Sequence, residues 1–142
     1  MVVHPLINAY NSSNAFGKLL GMTFEILSPG HVVYSLKVKP EHLATPLAAH
    51  GGFTGALVDA TLGVTALSAV CENNQVVSTI EYKVNFLAPA LLHDELEATG
   101  KIIQKGRRIL IVECDVRAKN RNILVAKAMG TFNAYDAAKA GY

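Results

Sequence analysis

One carboxylate stands alone in the most apolar part of the chain. Between Phe53 and Cys71 the sequence is almost entirely apolar or small, and Asp59 carries the only charge there. A carboxylate taken out of water without a partner is costly, so such residues often mark functional sites. Its chemistry would be general-base activation of water or direct attack on an electrophilic carbon. Asp59 is therefore the first candidate catalytic residue.

Two glycines precede this apolar stretch. Gly51 and Gly52 follow His50 at the point where a helix is expected to begin. The first N–H groups of a helix have no partner within it and carry partial positive charge. Without side chains to crowd them, the glycine N–H groups can bind a carbonyl oxygen or an oxyanion. The pair is also compatible with a tight turn that has no chemical role.

The distance between the two candidate groups constrains how they can act together. Gly51 and Asp59 are eight residues apart, which is about 12 Å along one helix. Both cannot touch one reacting carbonyl, because reacting groups must lie within about 3.5 Å of it. If both take part, the glycine end of one helix must meet Asp59 of another copy. The spacing therefore predicts an obligate two-fold dimer with antiparallel helices and two equivalent sites.

One long helix and several strands must position these residues. Apolar residues on every side predict a fully buried helix from Gly51 to about Val70. Residues 5–20 read as a short, partly helical lead-in. Alternating patterns and turn signals predict strands over Thr23–Leu27, His31–Lys39, Val76–Leu87, Glu95–Gln104, Arg107–Arg117 and Ile123–Asn133.

The order of these elements predicts the architecture. Short links between the last four strands favour an antiparallel meander. One curled antiparallel sheet would cover most sides of an apolar helix. We therefore expect an α+β protein, with a curled antiparallel sheet wrapped around one long central helix. Residues 1–142 are expected to form a single domain, since no linker, repeat or shift in composition divides them.

The composition excludes several other classes of protein. Of the 142 residues, 51% are hydrophobic and 17% are charged, which argues against a disordered chain. A net charge of +2 is too small to indicate a nucleic-acid binder. Asp59 and the glycines of the apolar stretch argue against a membrane span. Cys71 and Cys114 form no metal or disulfide pattern, which favours a reducing, cytoplasmic location.

Several short motifs together resemble a known family. His50-Gly51-Gly52 followed by Ala56-Leu57-Val58-Asp59 is similar to the signature of hotdog-fold acyl-CoA thioesterases of the phenylacetate-pathway (PaaI-like) type. Val77-Ser78-Thr79-x-Glu81, Asn85-Phe86-Leu87-x-Pro89-Ala90 and Lys105-Gly106-Arg107 resemble later blocks of that family. The resemblance covers roughly residues 15–134. It implies hydrolysis of acyl-CoA to free acid and CoA without cofactor or metal, by a homodimer that pairs further into a homotetramer.

The resemblance also implies roles for individual residues. Gly51 would donate its N–H to the thioester oxygen, and Asp59 of the partner subunit would activate water or attack the carbonyl. A hydroxyl on the following strand would help to hold the water. Counting back from Pro89 assigns that role to Thr79, whereas strict strand alternation turns Ser78 toward the helix. Both stay candidates, and Thr79 is favoured because a bulge could reset the alternation.

One departure from the family pattern bears on turnover. Many relatives place an Asn six residues before the His of the glycine motif, and this chain has Ala44 there. Thr45 is a possible substitute, or the carbonyl relies on Gly51 alone. The alternative function is therefore a hotdog module that binds acyl-CoA with weak or no turnover. A dehydratase that pairs His50 with Asp59 is disfavoured by the motif spacing, and His50 is expected mainly to orient the loop.

Substrate contacts are expected at two further places. The phosphates of CoA need cations near the mouth of the site, and Lys105, Arg107 and Arg108 cluster at one hairpin. A second cluster around Arg117, Lys119 and Arg121 is equally basic, and both are also typical of solvated turns. Phe53 is a candidate for the apolar wall of the acyl pocket, with packing in the core as the alternative.

Overall fold

A long helix lies across the concave face of one antiparallel sheet. The computed structural model describes residues 3–142. The helices are α1 (Pro5–Ser13), α2 (Ala15–Leu20) and α3 (Gly51–Val70). The strands are β1 (Thr23–Ser28), β2 (His31–Lys37), β3 (Gln75–Phe86), β4 (Glu95–Lys105), β5 (Ile109–Ala118) and β6 (Ile123–Asp136). Because α3 contacts all six strands, the predicted α+β architecture is confirmed.

The order of the strands differs from the predicted meander. The sheet runs β1-β2-β4-β5-β6-β3, and every neighbouring pair is antiparallel. The short turns join β4 to β5 and β5 to β6, but β3 pairs with β6 and not with β4. The link between β3 and β4, residues 87–94, is too long for a tight hairpin and crosses to the far side of β5 and β6. The prediction of a four-strand meander was therefore wrong for β3, which lies at the edge.

The sheet covers α3 on most of its surface. Leu57, Val58 and Leu62 have no exposed surface at all. The helix is long and apolar enough to cross a membrane by length and composition, but 72% of its most apolar window is buried inside the protein. A narrow strip stays partly exposed and contains Ala56, Asp59, Ala60 and Gly63. Complete burial of the helix was thus predicted wrongly along this one strip.

A second, smaller core lies at the C-terminal end of α3. Leu67 and Cys71 pack there against Val76 of β3 and against Leu6 and Ile7 of α1. The α1 helix therefore packs against the end of α3 that is remote from Gly51. Both cysteines are buried and unbridged.

The sheet approaches α3 most closely at Gly100 in β4. An added Cβ at this position would collide with Thr65 Oγ1 and lie 3.1 Å from Thr61 Cγ2. The Thr65 hydroxyl donates to the backbone carbonyl of Thr61 at 2.7 Å, so it cannot move freely. Glycine is required here by contact between strand and helix.

Replacement of this glycine tests the packing. We expect Gly100→Ala to lower the free energy of unfolding by about 1–3 kcal/mol, the usual cost of overpacking a core. Urea denaturation measures the loss. Adding Thr65→Ala should restore part of it by removing the nearest atom. Gly100→Ala with wild-type stability would contradict this account of the close approach.

Candidate active site

Asp59 lies on the open strip of α3 and has a polar partner. Its Oδ1 accepts a hydrogen bond of 2.9 Å from Thr79 Oγ1 on β3. The expectation of a buried, unpaired carboxylate was therefore wrong, because β3 is an edge strand and leaves this strip of the helix accessible. Among residues 3–142 no group donates to the second carboxylate oxygen of Asp59, which can therefore accept from a water or a substrate.

A bulge in β3 decides which hydroxyl faces the helix. Opposite β6, Thr79 pairs with Phe132 and Glu81 pairs with Thr131, so Ile80 is an extra residue in the strand. Thr79 shares the inward side of the sheet with the buried Phe132. Before the bulge, Ser78 pairs with Asn133 on the outer side. The bulge expected for Thr79 is present, and Ser78 is corrected to an outward-facing residue without access to Asp59.

The glycine end of α3 leaves one N–H group free. His50 caps the helix, and its Nδ1 accepts from the Gly52 N–H at 2.8 Å. The Phe53 N–H donates to the His50 carbonyl at 3.0 Å. Within residues 3–142, no protein group accepts the Gly51 N–H. Gly52 is thus corrected from a possible oxyanion donor to part of the cap, and Gly51 keeps its donor for a ligand.

The same contact describes what His50 does in the structure. Because Nδ1 accepts a hydrogen bond, that nitrogen carries no proton in the neutral ring. The ring orients the first turn of α3, which is the positioning role expected for it. Its own backbone N–H donates to the carbonyl of the buried His42 at 2.8 Å, and burial lowers the pKa of His42.

A cavity of about 300 Å³ opens beside the free N–H of Gly51. The Phe86 ring forms one wall, 3.7 Å from where a Gly51 Cβ would be. The link after β3 forms another wall, and the Ala49 N–H holds it by donating to the Ala90 carbonyl at 2.8 Å. The cavity is also lined by Thr54, Leu87, Ala88, Pro89 and Val125.

A buried ion pair, which sequence reasoning missed, holds this wall in place. Asp94 is 1% exposed, and its Oδ2 accepts from Arg121 Nη2 at 2.6 Å and from the Leu91 N–H at 2.8 Å. Its Oδ1 accepts from Arg121 Nε at 2.9 Å and from Asn120 Nδ2 at 3.0 Å. The guanidinium also donates to the Pro89 carbonyl at 2.9 Å. Burial opposes ionisation of Asp94, but these hydrogen bonds outweigh it and lower the pKa of the carboxyl.

A second cavity, of about 350 Å³, contains Asp59 and Thr79 in its wall. Several of its other lining residues were missed by sequence reasoning: Tyr10, Val64, Leu67, Val76, Val77, Phe132, Tyr135 and Tyr142. Burial raises the pKa of the Tyr10 phenol, and the nearby Asp59 carboxylate raises it further. No residue lines both this cavity and the one at Gly51. Within one chain, the free N–H and the carboxylate therefore open into separate spaces.

Two of the predicted substrate-binding residues have other partners. The Thr45 hydroxyl accepts from the Ala48 N–H at 3.0 Å and shapes an exposed loop. Phe53 is buried and stacks on His42 with the ring centres 4.1 Å apart. Phe53 lines neither cavity, so its assignment to the acyl pocket is corrected to a core residue. Phe53 belongs to the main cluster of buried apolar residues.

Some of the predicted phosphate-binding cations already have hydrogen-bond or ion-pair partners, and others do not. Arg107 and Arg108 are exposed in the turn between β4 and β5, and neither forms an ion pair within the described chain. Lys105 Nζ donates to the Ala69 carbonyl at 2.6 Å, at the C-terminal end of α3. In the second cluster, Arg121 is held by Asp94 and Lys119 by Glu97 at 3.0 Å. The first cluster is thus the more available for a phosphate.

One group of possible metal ligands lies away from both cavities. A ring nitrogen of His4, the Cys71 thiol and a Glu72 oxygen lie within 4.8 Å of one another. The His4 Nδ1 already accepts the Leu6 N–H at 3.2 Å. Burial raises the pKa of the Cys71 thiol, whereas a metal needs the thiolate. These observations give the group no role in the site.

Comparison with known proteins gives consistent matches. The family model described as the thioesterase superfamily matches residues 48–125, more than half of the chain. A human relative, acyl-coenzyme A thioesterase 13, is 25% identical over 128 residues, which are 89% of each chain. The E. coli PaaI protein from the phenylacetic acid degradation operon superposes with a TM-score of 0.84 at 20% identity, over 91% of this chain and 90% of that one. This likeness confirms the hotdog fold.

A further solved structure was obtained together with coenzyme A. A hypothetical thioesterase from Streptococcus pneumoniae is 26% identical, with a TM-score of 0.73 over 82% of this chain and 90% of that chain. None of these matches tests the roles of Asp59, Gly51 or Thr79, which stay predictions.

Removal of Arg121 tests the clamp beside Gly51. Arg121→Ala leaves the buried Asp94 carboxylate unpaired and should cost about 3–5 kcal/mol of unfolding free energy at pH 7.

The pairing also predicts how stability depends on pH. Since the folded pKa of Asp94 lies below its unfolded value of about 3.9, the stability that the ionised carboxylate contributes is present above that value and is lost as the pH falls below it. Urea titrations at pH 7 and pH 3 should therefore differ less for Asp94→Asn than for the wild type. Equal pH dependence in both would contradict the pairing.

Proposed function

Because this chain belongs to the thioesterase superfamily, we propose that it hydrolyses acyl-CoA thioesters to a free acid and CoA, at a site shared by two copies of the chain. The observation that carries this proposal is the separation of the Gly51 N–H and the Asp59 carboxylate into two cavities of one chain. Each cavity holds half of what thioester hydrolysis needs. The CoA-bound pneumococcal relative supports CoA as the leaving group.

The Gly51 N–H supplies the electrophilic half of the site. It lies at the N-terminus of a 20-residue helix, where the partial charge is positive. The carbonyl oxygen of the thioester accepts from this N–H and gains negative charge as the carbonyl carbon is attacked. Donors at such positions stabilise the transition state more than the ground state, by about 3–4 kcal/mol where one has been removed. His50 and the Asp94–Arg121 pair hold this end of the helix in place.

The Asp59–Thr79 pair supplies the nucleophilic half. Asp59 of the partner subunit takes a proton from a water held by Thr79, and the resulting hydroxide adds to the thioester carbon. The C–S bond then breaks, and the proton passes from Asp59 to the departing thiolate. The products are the carboxylic acid and the CoA thiol, and Asp59 is again a carboxylate. Direct attack by the carboxylate, through an anhydride that water then hydrolyses, uses the same two residues.

The exposed surface around β3 supports the dimer. As an edge strand it presents unpaired backbone groups along one side. Ile80 and Phe86 are each 54% exposed, and Met129 of the neighbouring strand is 51% exposed. Exposed apolar side chains on an unpaired edge strand beside the open strip of α3 are suited to contact with a second copy of the chain. Antiparallel pairing of two α3 helices brings Gly51 of each near Asp59 of the other.

The remaining parts of the proposal concern CoA, assembly and location. Arg107 and Arg108, which have no ion-pair partner among residues 3–142, are available for the phosphates of CoA. Lys105 would have to leave the Ala69 carbonyl to join them. Pairing of dimers into a tetramer is proposed from the resemblance of the motifs alone. A cytoplasmic location is proposed because Cys71 and Cys114 are unbridged.

A second candidate function is favoured by Ala44. This residue has no side-chain donor where many relatives carry Asn, and its N–H is already bound to the Ala48 carbonyl at 3.0 Å. The Thr45 hydroxyl, still able to donate its own proton, lies in the same loop. If neither compensates for the missing amide, the protein binds acyl-CoA and turns it over weakly.

The first test measures release of CoA thiol from a panel of acyl-CoAs with a thiol reagent. Wild-type protein should hydrolyse members of the panel, and Asp59→Asn should lower kcat by at least about a hundredfold. Asp115→Asn is the matched control, because this carboxylate lies on β5 and pairs only with the exposed Lys127. Wild-type turnover by Asp59→Asn would refute the catalytic role. Binding of acyl-CoA without any turnover by the wild type would favour the second function.

The shared site is tested with mixed dimers of Asp59→Asn and Gly51→Pro. Proline is tolerated at the first helical position, and the extended conformation of His50 (φ −61°, ψ 138°) suits a following proline. Each homodimer should be inactive. The purified heterodimer has one site with both groups intact and should show about half of the wild-type activity per dimer. Inactive heterodimers of confirmed composition would rule out sharing.

A further inference from the structure

The Asp59 cavity continues along α3 beyond the carboxylate. On the helix its wall contains Asp59, Gly63 and Leu67, which follow one another at intervals of four residues on one helix face and span about 12 Å. On β3 its wall contains Thr79 and Val76. Asp59 contacts Thr79, whereas Leu67 and Val76 belong to the second core. Gly63 therefore lies midway along the helix between the polar pair and the packed side chains, about 6 Å from each.

Neither the backbone nor the packing of the protein requires glycine at position 63. Gly63 lies inside α3, and its φ is not positive. The nearest neighbouring atom to an added Cβ would be Phe132 Cε1 at 3.6 Å, an ordinary van der Waals distance. At Gly100, in contrast, an added Cβ would collide with Thr65. Because glycine inside a helix is less favourable than alanine, Gly63 weakens α3, and what it provides is open space in the cavity.

The surface around this space suits an apolar group. Apart from the Asp59–Thr79 pair, the lining residues of α3, β3 and β6 are mostly apolar: Ala60, Val64, Leu67, Val76, Val77 and Phe132. The cavity volume of about 350 Å³ lies in the range of small-molecule sites. An apolar group that occupies this space leaves water for apolar side chains, which is favourable.

Two segments from distant parts of the sequence cover the cavity further. The α1 helix contributes Tyr10, and the segment after β6 contributes Ala140 and Tyr142. The two segments contact each other, since the Tyr142 hydroxyl lies 3.5 Å from Ser13 Oγ at the end of α1. The space beside Gly63 is therefore bounded by α3, by the sheet and by these two segments.

From this arrangement we infer that Gly63 is a specificity-determining residue, whose missing side chain leaves the space that the acyl group of the substrate occupies. The inference rests on the proposed function, because it takes the cavity at Asp59 to be the acyl site. An acetyl group ends before it reaches Gly63, about 6 Å along the helix from Asp59, whereas a hexanoyl chain is long enough to pass it. The substrate class is therefore acyl-CoAs with an apolar acyl group longer than acetyl.

The test compares S-ethyl-CoA with S-hexyl-CoA, two thioethers that lack the carbonyl and cannot be hydrolysed. In calorimetric titrations of the full chain, the wild type should bind S-hexyl-CoA at least about tenfold more tightly, since each buried methylene contributes about fourfold. Gly63→Leu fills the space and should remove most of this difference, while its affinity for S-ethyl-CoA stays close to that of the wild type.

Gly63→Ala is the matched control, because it replaces the same glycine and adds only a methyl group. It should raise the melting temperature, since alanine is the better helix former and the position has room for a Cβ. Its affinity for S-hexyl-CoA should lie between those of the wild type and Gly63→Leu, which keeps the test decisive if Gly63→Leu does not fold. A lower melting temperature would show that packing requires the glycine and would overturn the inference.

Three binding results would also overturn it. The first is an unchanged preference for S-hexyl-CoA in the folded Gly63 variants, which is the result expected if the acyl group lies in the Gly51 cavity. The second is a wild type that binds both thioethers equally or binds neither. The third is an equal loss of affinity for both thioethers in the variants, because the substitution would then act on the CoA part or on the fold.

Turnover of acyl-CoAs separates this inference from the proposed function. If Gly63→Leu loses the preference for S-hexyl-CoA but the wild type releases no CoA from any acyl-CoA, hydrolysis is rejected and the acyl site is retained. If the wild type hydrolyses hexanoyl-CoA and Gly63→Leu does so with the same kcat/KM, the role of Gly63 is rejected and hydrolysis is retained.

Discussion

The α3 helix has almost no polar surface to turn toward water, and its burial organises the whole molecule. Residues such as Leu57, Val58 and Leu62 face different sides of the helix, so a flat sheet on one side would leave some of them exposed. All six strands contact the helix instead. In the middle of the helix the cover is incomplete along the strip that contains Asp59. This gap is where a charge is tolerated and where a substrate or a second chain can enter.

The edge strand β3 supplies the polar partner of the carboxylate in this gap. Because β3 has a neighbour on only one side, the open strip of the helix lies beside a strand with unpaired backbone groups. The bulge at Ile80 then turns Thr79 inward, so that its hydroxyl reaches the Asp59 carboxylate. The unpaired edge of the sheet therefore lies beside the Asp59–Thr79 pair.

The two ends of α3 make different contacts. At its N-terminus, the His50 ring accepts a hydrogen bond from the Gly52 N–H, and no group among residues 3–142 accepts the Gly51 N–H. The ion pair of Arg121 with Asp94 holds the neighbouring wall of the Gly51 cavity. Toward the other end, α1 and the segment after β6 line the cavity that contains Asp59. One rigid element therefore carries an electrophilic group and a carboxylate at a separation that a single chain cannot bridge.

The sequence by itself determined the local structure and the spacing of the candidate groups. Periodicity and glycine positions predicted α3 and all six strands closely, and the interval from Gly51 to Asp59 follows from helix geometry alone. Only the tertiary structure decided that β3 pairs with β6, that the bulge selects Thr79 over Ser78, and that Phe53 belongs to the core. It alone brought Arg121 to Asp94 and Tyr142 to Ser13. These outcomes depend on contacts between residues far apart in the chain, which no local pattern encodes.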